Sequence, residues 1–275
     1  MISSTVAKTD DGTIQITLTI PYEIIKNKRA EVLAEAGKEI IVDGFRKGQA
    51  PIEKVEAKLG EQTIVEKTLT KILPESLGQV VEKEKLVLAL YPKFELVSAE
   101  KDKDWQVRAV SCDLPTVTLG DYQKEILVGK PEEKKAPSQG EKESLVLQAI
   151  LKTTTVKIPK LLINEEVEAR LTSLLARLEK LSLKLESYLA SVGKTPEGLR
   201  TEYEKQVTES ITLELALNEI AKNKGLKIEE KEVDEAIKAS LPEVKDQNIS
   251  PAQKQMLRGV ILRQKTLQTL TPKEL

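Results

Sequence analysis

The sequence contains no histidine, which removes the commonest general base near neutral pH and the commonest transition-metal ligand, and excludes most familiar active sites. A single cysteine, Cys112, permits neither an intramolecular disulfide nor a cysteine metal cluster; it fits a reducing compartment and a small buried thiol. Aromatic residues make up only 3% of the chain, too few for the ring stacking on unpaired bases that gives single-strand binders their affinity. The 43 Lys and Arg nearly cancel the 44 Asp and Glu, so no overall field draws the chain to nucleic acid or membrane, and any such contact must be local. No apolar run approaches membrane-spanning length, and Met1 to Asp10 lacks the basic region, apolar stretch and cleavage site of a signal peptide. A cytosolic protein is expected.

At 275 residues the chain sits near the size at which chains divide in two. Ile14, Ile16, Leu18 and Ile20 alternate with Gln15, Thr17 and Thr19, the period of a half-buried strand, and Asp11-Gly12 before them predicts a hairpin turn. After Pro21, Ile24, Ile25, Val32 and Leu33 fall at helical spacings, with Gly37 as the expected stop. Pro51 begins a second, short helix ending near Gly60, and Ile64 to Val81 mark a third. Leu86 to Leu90, Phe94 to Val97 and Trp105 to Val110 read as strands, separated by Tyr91-Pro92 and the charged turn Lys101 to Asp104. An α+β domain over residues 1–112 is expected.

The stretch GKPEEKKAPSQGEKE, residues 129–143, has almost nothing to bury and reads as a linker, so residues 113–143 form a connecting segment. From residue 144 to 275 the period is helical throughout. Asn164 is the expected cap of one helix, Thr195-Pro196 starts another that runs to about Gly225, and Ser250-Pro251 repeats that signal. The leucine-rich stretches at 161–192 and 207–220 suit internal packing or a surface for unfolded chains, and the sequence does not show which. The carboxylates Glu229, Glu230, Glu232 and Asp234 read as a solvated helix face.

Between the first two helices lies Gly44-Phe45-Arg46-Lys47-Gly48. A large aromatic beside two cations on a polar loop suits binding, since the ring can bury area on a partner while the cations pair with phosphates or carboxylates. Spacing alone equally allows Phe45 to fold back onto its own core.

The stretch Gly44-Phe45-Arg46-Lys47-Gly48-Gln49-Ala50-Pro51 resembles the trigger factor signature, in which Gly-Phe-Arg, a further residue, Gly and a later Pro form the ribosome-docking loop. The order of hairpin, helix, loop, helices and closing strands resembles that family's N-terminal domain over roughly residues 1–128. Ile158-Pro159, Leu162-Ile163 and SYLASVGKTPEGLRTEYEKQV at 187–207 resemble its helical C-terminal chaperone domain. The resemblance implies an α+β ribosome-binding domain followed by an all-α, extended helical chaperone domain. It implies an ATP-independent chaperone, docking near the tunnel exit of the large ribosomal subunit (protein and rRNA) through Gly44, Phe45, Arg46, Lys47, Gly48 and Pro51. Nascent or unfolded polypeptides are the implied clients; no cofactor, metal, catalytic residue or membrane partner is implied, and self-association of the free chain is left open.

The sequence departs from the family plan where most members insert an FKBP-like isomerase domain, after the segment resembling Thr116 to Pro131. Isomerase pockets are lined with aromatic rings, and between residues 106 and 187 the only aromatic is Tyr122, so no enzyme activity is expected. The alternatives are a prolyl isomerase of the same family, a holdase independent of the ribosome, and a periplasmic chaperone with a similar helical domain, which would not need the Phe-Arg-Lys loop.

Overall fold

The computed structural model describes residues 2–128, 138–240 and 250–271. The chain divides into two compact units, Met1–Leu114 with Pro159–Leu162, and Pro115–Ile158 with Ile163–Leu275. Among the described residues no helix is long and apolar enough to cross a membrane.

In the first unit, β1 (Ser3–Lys8), β2 (Thr13–Ile20), β3 (Lys93–Ser98) and β4 (Trp105–Cys112) form an antiparallel sheet in the order β1-β2-β4-β3. The two-residue period of β2 puts Ile14, Ile16, Leu18 and Ile20 on one face, fully buried, and leaves the intervening Thr and Gln half-buried on the other. Across the ladder Ile16 faces Ala109, Leu18 faces Val107 and Ile20 faces Trp105, which continues the apolar face onto β4. Helices α1 (Tyr22–Glu39) and α3 (Glu61–Lys83) cover it with Ile25, Val65, Ile72, Leu73, Leu77 and Val80. Burying a side chain of this size contributes about 1.5–3 kcal/mol, so this face dominates the unit's stability.

The charged turn between β3 and β4 starts α1 from a distance. Pro21 offers no side-chain cap; instead Asp104 Oδ1 accepts the Tyr22 N–H at 2.9 Å and Asp102 Oδ1 accepts the Tyr22 hydroxyl at 2.7 Å. Cys112 is fully buried, and burial pushes its thiol pKa up.

Four details differ from the sequence reading. Gly37 does not stop α1: it lies inside the helix opposite Val55, and the chain leaves only at Ile40, whose N–H donates to Ala36 O at 2.9 Å. Burial of Val32, Leu33 and Ala36 just before it offsets the roughly 1 kcal/mol cost of one helical glycine. Leu86 to Leu90 is not a strand but a passage along the end of β4, with one bridge, Leu88 to Asp113. Pro92 has no N–H to extend that pairing into β3. Asn164 caps nothing, because α6 (Lys160–Lys180) already begins directly after Pro159. Finally, Gln139–Glu143 is not linker: Ser138 and Glu141 form a reciprocal capping box that starts α5 (Gln139–Thr153). The remainder of the expected linker, 129–137, lies outside the described residues.

The second unit is helical, with one small ribbon in which β5 (Thr116–Thr118) pairs antiparallel with β6 (Thr155–Lys157). Its core gathers Ile126 of α4 (Tyr122–Val128), Val146 and Ile150 of α5, Ala216, Leu217 and Ile220 of α8 (Pro196–Asn223), and Leu270 of α10 (Pro251–Leu270). Thr195 and Ser250 cap α8 and α10 through their hydroxyls, each followed by Pro at the first helical position. Two carboxylates of α9 (Glu230–Ser240) pair with α10: Glu230 with Arg258, and Glu232 with Lys265 at 2.7 Å. The short α7 (Leu185–Val192) completes the unit.

Replacing Ile16 by Ala should cost about 2–5 kcal/mol, the range for a truncated core aliphatic. Trp105, buried on the same sheet face and the sole tryptophan, reports that loss by fluorescence during urea unfolding. A loss below about 0.5 kcal/mol, the size of an ordinary surface change, would contradict the packing described.

Candidate functional site

The connection from α1 to α2 (Ile52–Leu59) contains two turns of one kind. Phe45 N–H donates to Val42 O at 3.0 Å, and Gln49 N–H donates to Arg46 O at 2.9 Å. In each turn the third residue is glycine with positive φ, +83° at Gly44 and +80° at Gly48, while Asp43 and Lys47 before them keep negative φ. That is the type II pattern, and it requires a residue that tolerates positive φ at the third position. The paired glycines thus encode backbone geometry, with Phe45 and Arg46 held between two closed turns.

Beneath the loop, Val42, Ala36 and Val55 form a small separate core with Ile40, Ala50 and Leu59 packed against it. Phe45 is not part of that core and is 40% exposed. Arg46 and Lys47 are exposed too, and among the described residues neither is engaged in an ion pair. Pro51 precedes α2 as its N-cap residue, with φ −57°. The structure therefore brings Gly44, Phe45, Arg46, Lys47, Gly48 and Pro51 into one surface loop, with the ring and both cations accessible.

Two further apolar side chains flank it: Ile41 is 68% exposed and Ile52 57%. Sequence reasoning missed them because Ile40, Ile41 and Val42 form one apolar run, and only the fold shows that Val42 turns inward and Ile41 outward.

The corner behind the loop is held electrostatically. Arg29, on α1, donates from Nη1 and Nη2 to the two Glu61 oxygens at 2.5 and 2.6 Å, and from Nη2 also to Glu56 on α2. The hydrogen bonds from Arg29 hold the Glu61 carboxyl below its usual pKa, and the pair with Glu61 raises that of Arg29. In the second unit Leu175, Leu181 and Leu183 are exposed on α6 and the turn after it. A groove of about 350 Å³ nearby is lined by Leu174, Ala169 and Tyr203 together with Glu166, Arg170, Ser173 and Arg177.

The architecture defines a two-unit protein: an α+β unit that displays a preformed loop bearing an aromatic and two cations, and a helical unit. Two family models match it, one described as "Bacterial trigger factor protein (TF)" over residues 2–145 and one as "Bacterial trigger factor protein (TF) C-terminus" over 123–271. The chain belongs to the bacterial trigger factor family. The two matches overlap between 123 and 145, so no segment for an intervening domain separates them.

Among curated relatives, the trigger factor of Streptococcus mutans is 35% identical and that of Streptococcus uberis 36% identical, each over 107 residues that make up 39% of this chain. The matched part spans a quarter (25%) of the length of either relative. A solved structure described as "Promiscuous Substrate Recognition in Folding and Assembly Activities of the Trigger Factor Chaperone" aligns with a TM-score of 0.65 at 13% identity, over 98% of this chain and 99% of that one. That likeness is one of fold.

Gly44→Ala and Gly48→Ala should each destabilise the loop by about 1 kcal/mol, the cost of forcing an L-residue to positive φ. No atom lies within 4 Å of where a Gly44 Cβ would sit, so the cost there is backbone strain alone. Amide exchange should accelerate at Phe45 and Gln49 and stay unchanged in β2 and β4; equal exchange in variant and parent would refute the turn assignment.

Proposed function

We propose that this protein is an ATP-independent chaperone that docks beside the polypeptide exit of the large ribosomal subunit and shelters unfolded or nascent chains in the cytoplasm. The observation that carries this reading is the loop between Gly44 and Gly48: its backbone is fixed by two turns, Phe45 remains 40% exposed, and Arg46 and Lys47 are exposed and without an ion pair among the described residues. Family membership supplies the partner class. Phe45, with Ile41 and Ile52 beside it, provides apolar area for a protein surface, and Arg46 and Lys47 provide charge for rRNA phosphates.

The exposed Leu175, Leu181 and Leu183 supply apolar surface for an unfolded client on the second unit. Binding by apolar contact needs no nucleotide, and no phosphate-cradling glycine motif occurs in the sequence. The domain boundaries follow the same reading, with docking assigned to residues 1–112 and client binding to the helical region from 144 onward.

Replacing Phe45, Arg46 and Lys47 together by alanine should abolish co-sedimentation with ribosomes at moderate salt while leaving aggregation suppression in solution intact. With two phosphate contacts, raising salt from about 50 to 200 mM should weaken docking of the parent about seven- to twelvefold. The Phe45→Ala change alone should cost about 1 kcal/mol of stability or less, as for an exposed site, rather than the 3–5 kcal/mol of a core phenylalanine. Retained pelleting by the triple variant would sink the docking reading, and aggregation suppression that depends on added ATP would sink the chaperone mechanism.

A further inference from the structure

The two ends of the docking loop are anchored unequally. On one side α1 is fixed by Ile25, Val32, Leu33 and Ala36, all buried. On the other, α2 has eight residues and a single buried one, Val55. A helix of that length has negligible stability by itself, so its position must come from tertiary tethers. Val55 supplies one. Lys58 and Asp43, 3.7 Å apart, supply little, because their side chains are 50% and 97% exposed.

Leu59, partly buried against the same small core, adds a second apolar contact, and Arg29 adds the strongest polar one. The Arg29 side chain is only 24% exposed, and its planar fork joins three elements at once: α1, the last turn of α2 through Glu56, and the first residue of α3 through Glu61. Fork geometry with two parallel donors to one carboxylate is the strong form of this interaction, and a lysine has only one ammonium to offer the two acceptors. Among the described residues, no other ion pair links α1 to both α2 and α3.

We propose that Arg29 is a positioning residue for docking: by clamping Glu56 and Glu61 against α1, it holds the α2 end of the loop and thereby sets ribosome affinity without meeting the ribosome itself. The inference rests on the docking reading above. A loop whose binding geometry is populated only part of the time binds more weakly by that fraction. If release of the clamp leaves the geometry populated about a tenth of the time, affinity falls about tenfold.

The test uses the full chain with purified ribosomes and four variants: Arg29→Met, Arg29→Lys, Glu56→Gln, and the Arg29→Met/Glu56→Gln double. Arg29→Met should weaken docking about tenfold, Arg29→Lys less, and the double variant no more than Arg29→Met, because both changes open the same clamp. The salt dependence should keep its parental slope, since Arg46 and Lys47 are intact. Hydrogen exchange should speed up over residues 42–59 and stay slow in β2 and β4. The proposal is overturned by unchanged affinity despite faster loop exchange, by unchanged loop exchange, or by a salt slope reduced by about 0.7–0.9, which would make Arg29 a phosphate contact itself. Loss of protection in β2 and β4 would assign Arg29 to global stability and overturn it as well. If the parent fails to pellet with ribosomes, the docking reading falls, while the exchange measurement still decides whether the clamp holds α2.

Discussion

The burial of β2 on one face is the constraint on which the first unit depends. Its four aliphatic side chains can leave water only if β4 extends the same face and helices roof it, so the register of Ile16 opposite Ala109 and Leu18 opposite Val107 follows from the pattern. A one-residue slip would bring the threonines inward. Helix α1 begins directly after Pro21, so its phase is set by the end of β2, and that phase decides which residues of α1 face the sheet and which face α2. Ala36 and Arg29 both serve α2 because α1 is laid down in this way. The loop is the last member of a series in which each element is placed by the one before it.

Much of this was legible from residues. Alternation announced β2, and the dipeptides Thr195-Pro196 and Ser250-Pro251 announced α8 and α10, because cap chemistry is local. The same logic was available at Ser138, where Ser and Glu stand three apart as a capping box, but eight charges in the surrounding fifteen residues outweighed it. Leu86 to Leu90 misled for the opposite reason: its composition suits a strand, and whether an edge is open for it is a property of the sheet. In the candidate site, the sequence singled out the Phe-Arg-Lys loop but left open whether Phe45 folds back onto its own core, and only the fold shows it 40% exposed. The clamp was invisible, since Arg29 meets partners 27 and 32 residues away and nothing in the local sequence distinguishes it from other surface arginines.

The two units divide their chemistry cleanly. The first places most of its apolar residues in a sheet-and-helix core, and of those left exposed Ile41, Phe45 and Ile52 gather around one loop. The second packs its core between α5, α8 and α10 and leaves leucines uncovered on α6. Two of the carboxylates that read as a solvated helix face, Glu230 and Glu232, are paired with Arg258 and Lys265 of α10.

The two closed turns also have a consequence for time. A loop that must order itself on its partner adds a slow step to association, whereas one already fixed by its backbone meets the partner at a rate set by diffusion and orientation. In the proposed docking only two cations and a few aliphatic or aromatic groups make contact, so little would hold the complex and residence would be brief. If the loop docks as proposed, rapid arrival and rapid departure follow together, and the turns at Gly44 and Gly48 are responsible for the first.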